Sequence, residues 1–188
     1  PATDDEVLHT VKVMGGEDWK EWISALKNAD AIEPNAVTVA YSYIGPVMTH
    51  SIYRDGSIGK AKDHLFKTAK EITSEFDGIR AYLSVNKALV TQSSAAIPIV
   101  PLYISILYKV MKAKGCHEGC IEQMYRLFNQ KLFSENPVLD DEGRIRLDDL
   151  ELQNDIQEEV TKLWSDISTE NIAECADIDG YWEDFYKL

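Results

Sequence analysis

The sequence predicts an α/β fold in which a parallel sheet is followed by a mainly helical section, and three stretches carry that prediction. Val37 to Ile44 is a β-branched and aromatic run with apolar residues on both faces, the pattern of an interior strand buried between helix layers. Ile58, Leu65, Ala69, Ile72 and Phe76 then fall on one stripe at helical spacing, and Ile79 to Asn86 reads as a second strand. Strand, helix and strand in that order form a right-handed crossover, so the two strands are expected to be parallel. In such sheets ligands sit beyond the carboxyl ends of the strands. The residues after Ile44 and the segment Lys87 to Ser94 are therefore expected on one rim.

The elements follow in order. Thr3 and Glu6 have the spacing of a capping box at the head of a first helix carrying Val7, Val11 and Met14, which should stop near Gly15-Gly16. Glu17 to Leu26 reads as a short second helix with Trp19, Trp22, Ile23 and Leu26 inward. Gly45 and Pro46 end the first strand, and a polar loop runs to Gly56. Ser93 to Lys114 is a long helical pattern with Pro98 and Pro101 near its start, where a missing N–H does least harm. His117 to Phe133 follows, with Ile121, Met124, Phe128 and Leu132 inward. Asp140 to Arg146 is a turn into a short extended piece. Leu152, Ile156, Val160, Leu163 and Ile167 mark a last amphipathic helix with an acidic outer face.

Charge narrows the function. A net charge of −13 repels phosphate backbones, so nucleic-acid binding is not expected. Cys116, Cys120 and Cys175 form no disulfide framework, which suits a reducing, cytoplasmic compartment. The start lacks a signal-peptide pattern, and the longest apolar stretch, Ala95 to Tyr108, is too short to span a bilayer, so no membrane insertion is expected. Pro1 stands directly before a helix pattern and Leu188 just after the aromatic cluster Tyr181, Trp182, Phe185 and Tyr186, so both ends are expected to be cut from a longer chain.

Lys62 is the residue that helical phase singles out. It fills the gap between Ile58 and Leu65 on the apolar stripe, whereas Lys60, Asp63, Lys67 and Lys70 lie off it. A buried ammonium needs a carboxylate, a hydroxyl-rich ligand or a depressed pKa. The bland alternative is a lysine that snorkels from the rim with its amine in water. Three weaker motifs carry less. GSIGK, Gly56 to Lys60, lacks the full phosphate-loop spacing. Cys116, His117 and Cys120 have no second ligand cluster at zinc spacing and read as two buried thiols at a helix start. No serine sits in a nucleophile-elbow context.

Six blocks carry a resemblance. VMGGEDW (Val13 to Trp19), AYSYIGP (Ala40 to Pro46), IYRDGSIGKAK (Ile52 to Lys62), VNKALVTQSSAAIPIVPLY (Val85 to Tyr103), KGCHEGCIEQ (Lys114 to Gln123) and GRIRLDDLEL (Gly143 to Leu152) resemble, in order, the NADH-dependent trans-2-enoyl-CoA and enoyl-ACP reductases. The resemblance implies the carboxyl-terminal part of a Rossmann-type, short-chain-dehydrogenase-like sheet with a large helical substrate-binding section. Residues 1–92 would be the second half of the catalytic domain and residues 93–188 its helical section. That family is similar to the short-chain dehydrogenases in its Tyr/Lys pair, here with eight residues between Tyr53 and Lys62.

By the same resemblance Tyr53 is the proton donor or enolate stabiliser, and Lys62 binds the nicotinamide ribose of NADH. Tyr43 contacts the substrate thioester, and Leu89, Val90 and Thr91 border the nicotinamide. The implied substrate is an enoyl-CoA or enoyl-acyl-carrier-protein, and the implied full-length state is a monomer. The chain departs from the family in having no glycine-rich strand-to-helix turn, so we expect it to bind NADH poorly alone and to turn over little. A second class of function is a non-catalytic helical interaction domain with Ala95 to Tyr108 as a partner or lipid surface.

Overall fold

The computed structural model of the chain describes residues 2–133 and 136–187; Pro1 and Leu188, where the sequence suggests cut ends, lie outside them. The chain falls into two compact units, residues 1–86 with 129–146 and residues 87–128 with 147–188.

In the first unit, helix α1 (Asp4–Met14) starts at Thr3, whose hydroxyl accepts the Glu6 N–H at 3.3 Å while the Glu6 carboxylate accepts the Thr3 N–H at 2.8 Å. Helix α2 (Glu17–Asn28) follows directly. Gly16 has to be glycine because a Cβ there would collide with Thr68, and its N–H donates to His64 Nδ1 at 3.0 Å. Strand β1 (Val37–Ser42), the short helix α3 (Val47–His50), helix α4 (Ser57–Glu75) and strand β2 (Arg80–Val85) complete the run. The strands pair in parallel, Val37 opposite Arg80 and Ser42 opposite Val85.

A small apolar cluster holds α2, α4 and β2 together: Ile23, Ala69, Ile72, Ile79 and Ala81, with Trp19 and Phe76 packed against it. On α4 the predicted stripe is the buried face, with Leu65, Ala69 and Ile72 inside and Ile58, Lys62 and Phe76 half-buried. On α2 the expectation fails for Trp22, which is 68% exposed. Trp19, Ile23 and Leu26 share one line at steps of four and three, and Trp22 stands on its flank.

The sheet differs from expectation in one respect. Strand β3 (Ile145–Arg146) pairs in parallel with β2, giving the order β1-β2-β3. The central, buried strand is therefore β2, and β1, expected to be interior, has one strand partner among the described residues and is only half-buried along most of its length. The turn before β3 closes at Gly143, whose φ of +88° is open to glycine at little cost.

The second unit is helical: α5 (Gln92–Ala95), α6 (Val100–Ala113), α7 (Cys120–Arg126), α8 (Asn154–Asp166), α9 (Ile172–Cys175) and α10 (Ile178–Lys187). Helix α6 packs against α5, α8 and α10. The pattern over Ser93 to Lys114 is thus two helices, not one. Pro98 has no N–H to continue α5, and Pro101 stands in the first turn of α6, where a missing N–H does least harm. Between them Ile99 takes a left-handed φ of +62°, a strained conformation for a β-branched residue. Val100 and Tyr103 to Tyr108 are buried inside this unit, which removes the apolar partner or lipid surface expected there. No helix among the described residues is long and apolar enough to cross a membrane.

Two further expectations are corrected. Helix α7 starts at Cys120 rather than His117 and continues into a π-helical stretch, Leu127–Leu132. Gln123, Arg126, Leu127 and Leu132 are buried, Leu132 as expected, while Ile121 is 76% exposed and Phe128 is also exposed. Buried hydrogen bonds, described below, decide that phase. Cys120 is exposed and Cys116 half-buried, so they are not two buried thiols. Ile156 and Val160 of α8 are fully buried, as the amphipathic pattern requires.

Candidate active site

The predicted site residues are distributed over both units. Tyr43, Tyr53 and Lys62 belong to the first, and Leu89, Val90 and Thr91 to the second.

In the first unit the parallel register brings the carboxyl ends of β1 and β2 side by side, and the Asn86 N–H donates to the Ser42 carbonyl at 2.8 Å. Tyr43 follows β1 directly. Gly45, at φ +78°, turns the chain next to it, and a Cβ on Gly45 would lie 2.9 Å from the Tyr43 hydroxyl. Beyond Gly45 the expected polar loop is organised rather than open. His50 Nε2 meets the Gly45 carbonyl at 3.1 Å, Thr49 Oγ1 donates to Pro46 O at 3.0 Å, and the Tyr53 N–H donates to Thr49 O at 3.0 Å.

The same loop is locked to the start of α4. The Arg54 guanidinium grips Asp63 with two contacts, 2.8 and 3.1 Å. Gly59 allows the Arg54 carbonyl to lie against the first turn of the helix, where a Cβ would collide with it. These contacts hold Tyr53 at 7% exposure with its ring edge-on to Tyr43, centroids 5.2 Å apart and planes at 73°.

Lys62, two turns into α4, is half-buried, and burial lowers its ammonium below the ordinary lysine value. Burial likewise pushes the Tyr53 phenol up to about 12. No neighbouring cation offsets that rise, so Tyr53 is a protonated donor at neutral pH, not a phenolate. Among the described residues neither the Tyr53 hydroxyl nor the Lys62 ammonium has a hydrogen-bond or ion-pair partner.

In the second unit Leu89 is half-buried, Val90 buried and Thr91 exposed. Thr91 caps α5, its hydroxyl accepting the Ser94 N–H at 2.9 Å while the Ser94 hydroxyl accepts the Thr91 N–H at 2.8 Å. The Val90 N–H donates to Tyr108 Oη at 3.2 Å. Directly before this segment stands a buried charge pair that sequence reasoning missed. Lys87 is 2% exposed and donates to Ala88 O at 2.8 Å, with Nζ 4.9 Å from the Tyr108 ring centre. Burial brings its ammonium down to about 8, partly opposed by the Glu151 carboxylate.

Glu151, fully buried, accepts the Ala88 N–H at 2.7 Å and the Tyr103 hydroxyl at 2.6 Å. Arg126 is buried in the same fashion, holding Glu118 with two contacts of 2.8 Å, Asp149 at 2.6 Å and Leu147 O at 2.6 Å. Position offers a signal for each. Lys87 interrupts a buried run and Arg126 lies among apolar positions of a helix, but charged residues there resemble a solvated face.

Fold and site together define an α/β protein with a parallel sheet, a buried phenol in the loop after its first strand and a half-buried amine on the helix that follows, neither with a polar partner among the described residues. Comparison with known proteins makes the class specific. The family model for the trans-2-enoyl-CoA reductase catalytic region matches residues 1–133, and that for the enoyl reductase FAD-binding domain matches residues 139–188. The chain is 55% identical over its whole length to trans-2-enoyl-CoA reductase [NADH] of Ruminiclostridium cellulolyticum, covering 48% of that protein. It is 56% identical to enoyl-[acyl-carrier-protein] reductase [NADH] of Flavobacterium psychrophilum, also covering 48%. The crystal structure of Treponema denticola trans-2-enoyl-CoA reductase in complex with NAD superposes with a TM-score of 0.95 at 50% identity, over 99% of this chain and 47% of that one. The chain belongs to the trans-2-enoyl-CoA reductase family, and it spans about half the length of the curated relatives it matches.

The second family description raises the question of a flavin. A flavin dinucleotide needs backbone donors and free cations for its pyrophosphate. Among the described residues of 139–188, Arg144 and Arg146 are both engaged by Asp140 at 2.9 and 3.5 Å and Lys187 by Glu183 at 2.8 Å, while Lys162 stands alone on the exposed, acidic face of α8. Gly143 leads into a two-residue strand, not a helix. Acidic side chains otherwise dominate this stretch. These residues do not fit a flavin dinucleotide.

Proposed function

We propose that the full-length protein reduces the 2,3 double bond of trans-2-enoyl thioesters, carried on coenzyme A or acyl carrier protein, with NADH, in the reducing interior of the cell. The observation that carries this reading is the pair of desolvated, unpartnered polar ends on Tyr53 and Lys62, in a chain of this family. The fit to the cofactor rests on the same pair. A desolvated ammonium without a carboxylate beside it suits ribose hydroxyls, which it can hold by hydrogen bonds. When bound, NADH supplies the hydride that the β-carbon of the enoyl thioester receives.

The roles of the chain's own residues follow from their chemistry. As the double bond is reduced, negative charge builds on the thioester carbonyl oxygen. Tyr53, protonated because burial raises its pKa, donates its O–H to that oxygen, and the donor is most effective where charge develops. Tyr43, edge-on to the Tyr53 ring, sets the ring's orientation and lines the thioester side. Lys62 holds the ribose, and Leu89, Val90 and Thr91 border the nicotinamide.

Replacing Tyr53 by Phe in the full-length protein tests this. NADH oxidation with crotonyl-CoA should fall by about 10²–10³-fold while the protein keeps its melting temperature. Unchanged turnover sinks the assignment. The half-length chain alone should oxidise NADH slowly or not at all in the same assay.

A further inference from the structure

The backbone of Lys87 to Val90 is held by side chains rather than by secondary structure. The Lys87 N–H donates to Gln123 Oε1 at 2.9 Å, the Ala88 N–H to Glu151 Oε2 at 2.7 Å and the Val90 N–H to Tyr108 Oη at 3.2 Å. Gln123, Glu151 and Lys87 are at most 2% exposed, and Tyr108 is 1% exposed. Ser94 Oγ reaches back to Leu89 O at 3.2 Å and so secures the following carbonyl. Strands and helices satisfy their own amides, so three donors within four residues met by buried side chains mark a segment whose conformation is imposed from outside it.

Glu151 is the hub of that arrangement. Its second oxygen accepts the Tyr103 hydroxyl at 2.6 Å, and Tyr103 in turn accepts from Gln157 Nε2 at 3.3 Å. Gln157 also donates to the Glu151 carbonyl at 2.7 Å, fixing the hub's own backbone. The Ala88 N–H and the Tyr103 hydroxyl thus meet the two carboxyl oxygens of Glu151, one each, and burial raises the pKa of that carboxyl. The Lys87 ammonium supplies the counter-charge within the same segment. Burial of a carboxyl, an ammonium and a phenol together is costly, and the bonds named here offset that cost only in this arrangement of the segment.

We propose that Glu151 is a positioning residue for the cofactor: through Ala88 it fixes Leu89 to Thr91 in the conformation that receives the nicotinamide. This rests on the reading above that Leu89, Val90 and Thr91 border that ring. Glu151 touches no reacting atom in this scheme and acts through the backbone it holds.

The test uses Glu151→Gln in the full-length protein, with Tyr103→Phe as a milder variant should the first fail to fold. Amide hydrogen exchange without cofactor should speed up at Ala88 and Val90 by about tenfold, the loss of one hydrogen bond to a charged group. KM for NADH should rise by about tenfold with kcat held within about twofold, a split that general loss of folded protein would not produce. Faster exchange with unchanged KM for NADH overturns the positioning role and leaves the nicotinamide-border reading standing. Unchanged exchange overturns the clamp itself. The border reading has its own control: in the unmodified protein NADH should slow exchange at Leu89 to Thr91, and no slowing sinks that reading independently.

Discussion

Two regions of the molecule bury charged or ionisable side chains, and they do so in opposite ways. Around Lys87, Glu151 and Arg126 the charges are held by named partners: three side-chain donors or acceptors for the Glu151 segment, and two carboxylates and a carbonyl for Arg126. Around Tyr53 and Lys62 the ring and the alkyl stem are desolvated, yet the polar ends meet no polar partner among the described residues. Satisfied burial builds and orients structure, whereas unsatisfied burial holds binding potential in reserve for something else. Perturbed pKa alone does not separate the two, since Lys87 and Lys62 are both lowered by burial.

The contrast can be broken by removing one member of each kind. The largest effect on stability is expected from Arg126→Met. It removes the guanidinium that Glu118, Asp149 and the Leu147 carbonyl share, and denaturant unfolding should show a loss of about 3–5 kcal/mol. Lys62→Met should do the reverse in kind. Stability should change by less than about 1 kcal/mol, on the stabilising side, because no partner is abandoned and an ammonium is spared desolvation. NADH affinity in the full-length protein should meanwhile fall by about tenfold or more. A large destabilisation in Lys62→Met would erase the distinction between the two regions.

An effect absent at neutral pH sharpens the comparison through acid. His117 lies edge-on to Tyr108 with ring centres 4.3 Å apart, and its buried Nδ1 has no partner among the described residues. Burial, then the nearby Lys87 and Lys112 ammonium groups, push its pKa down from 6.5 to about 4. The unfolded chain therefore takes up a proton before the folded one does. Stability from this group is full above pH 6.5 and is lost as pH falls toward about 4. Thermal melts between those limits should show a decline that is shallower in His117→Phe.

How much of this was legible in the sequence differs residue by residue. Lys62 could be read from helical phase alone, because α4 buries the stripe that its apolar neighbours define. Tyr53 could not. Its place depends on α3, on the Arg54–Asp63 grip and on Gly59, and none of these has a period. Family resemblance singled it out instead.

The parallel pairing of β1 and β2 followed from strand, helix and strand in order. The third strand was visible only as an extended piece, since its partner lies far away in the chain. Proline chemistry should have divided α5 from α6, and the helical pattern across the break concealed it. The inward face of α7 was misread because polar bonds, through Gln123 and Arg126, decide it against Ile121 and Phe128. Apolar periodicity carries no record of such bonds.

Strand β3 also sets an order of events at the ribosome. It is two residues long and hydrogen-bonds beside Ser84 and Val85, but the chain between Val85 and Ile145 must be synthesised first. Until Arg146 has emerged, β2 has β1 as its one strand partner among the described residues, and its backbone groups beside Ser84 and Val85 are without the β3 pairing. Closing so long a loop costs entropy that only completed neighbours can repay. A bare strand edge held open for that interval is a template for wrong pairing, so this small strand acts as the late seal on an aggregation-prone edge.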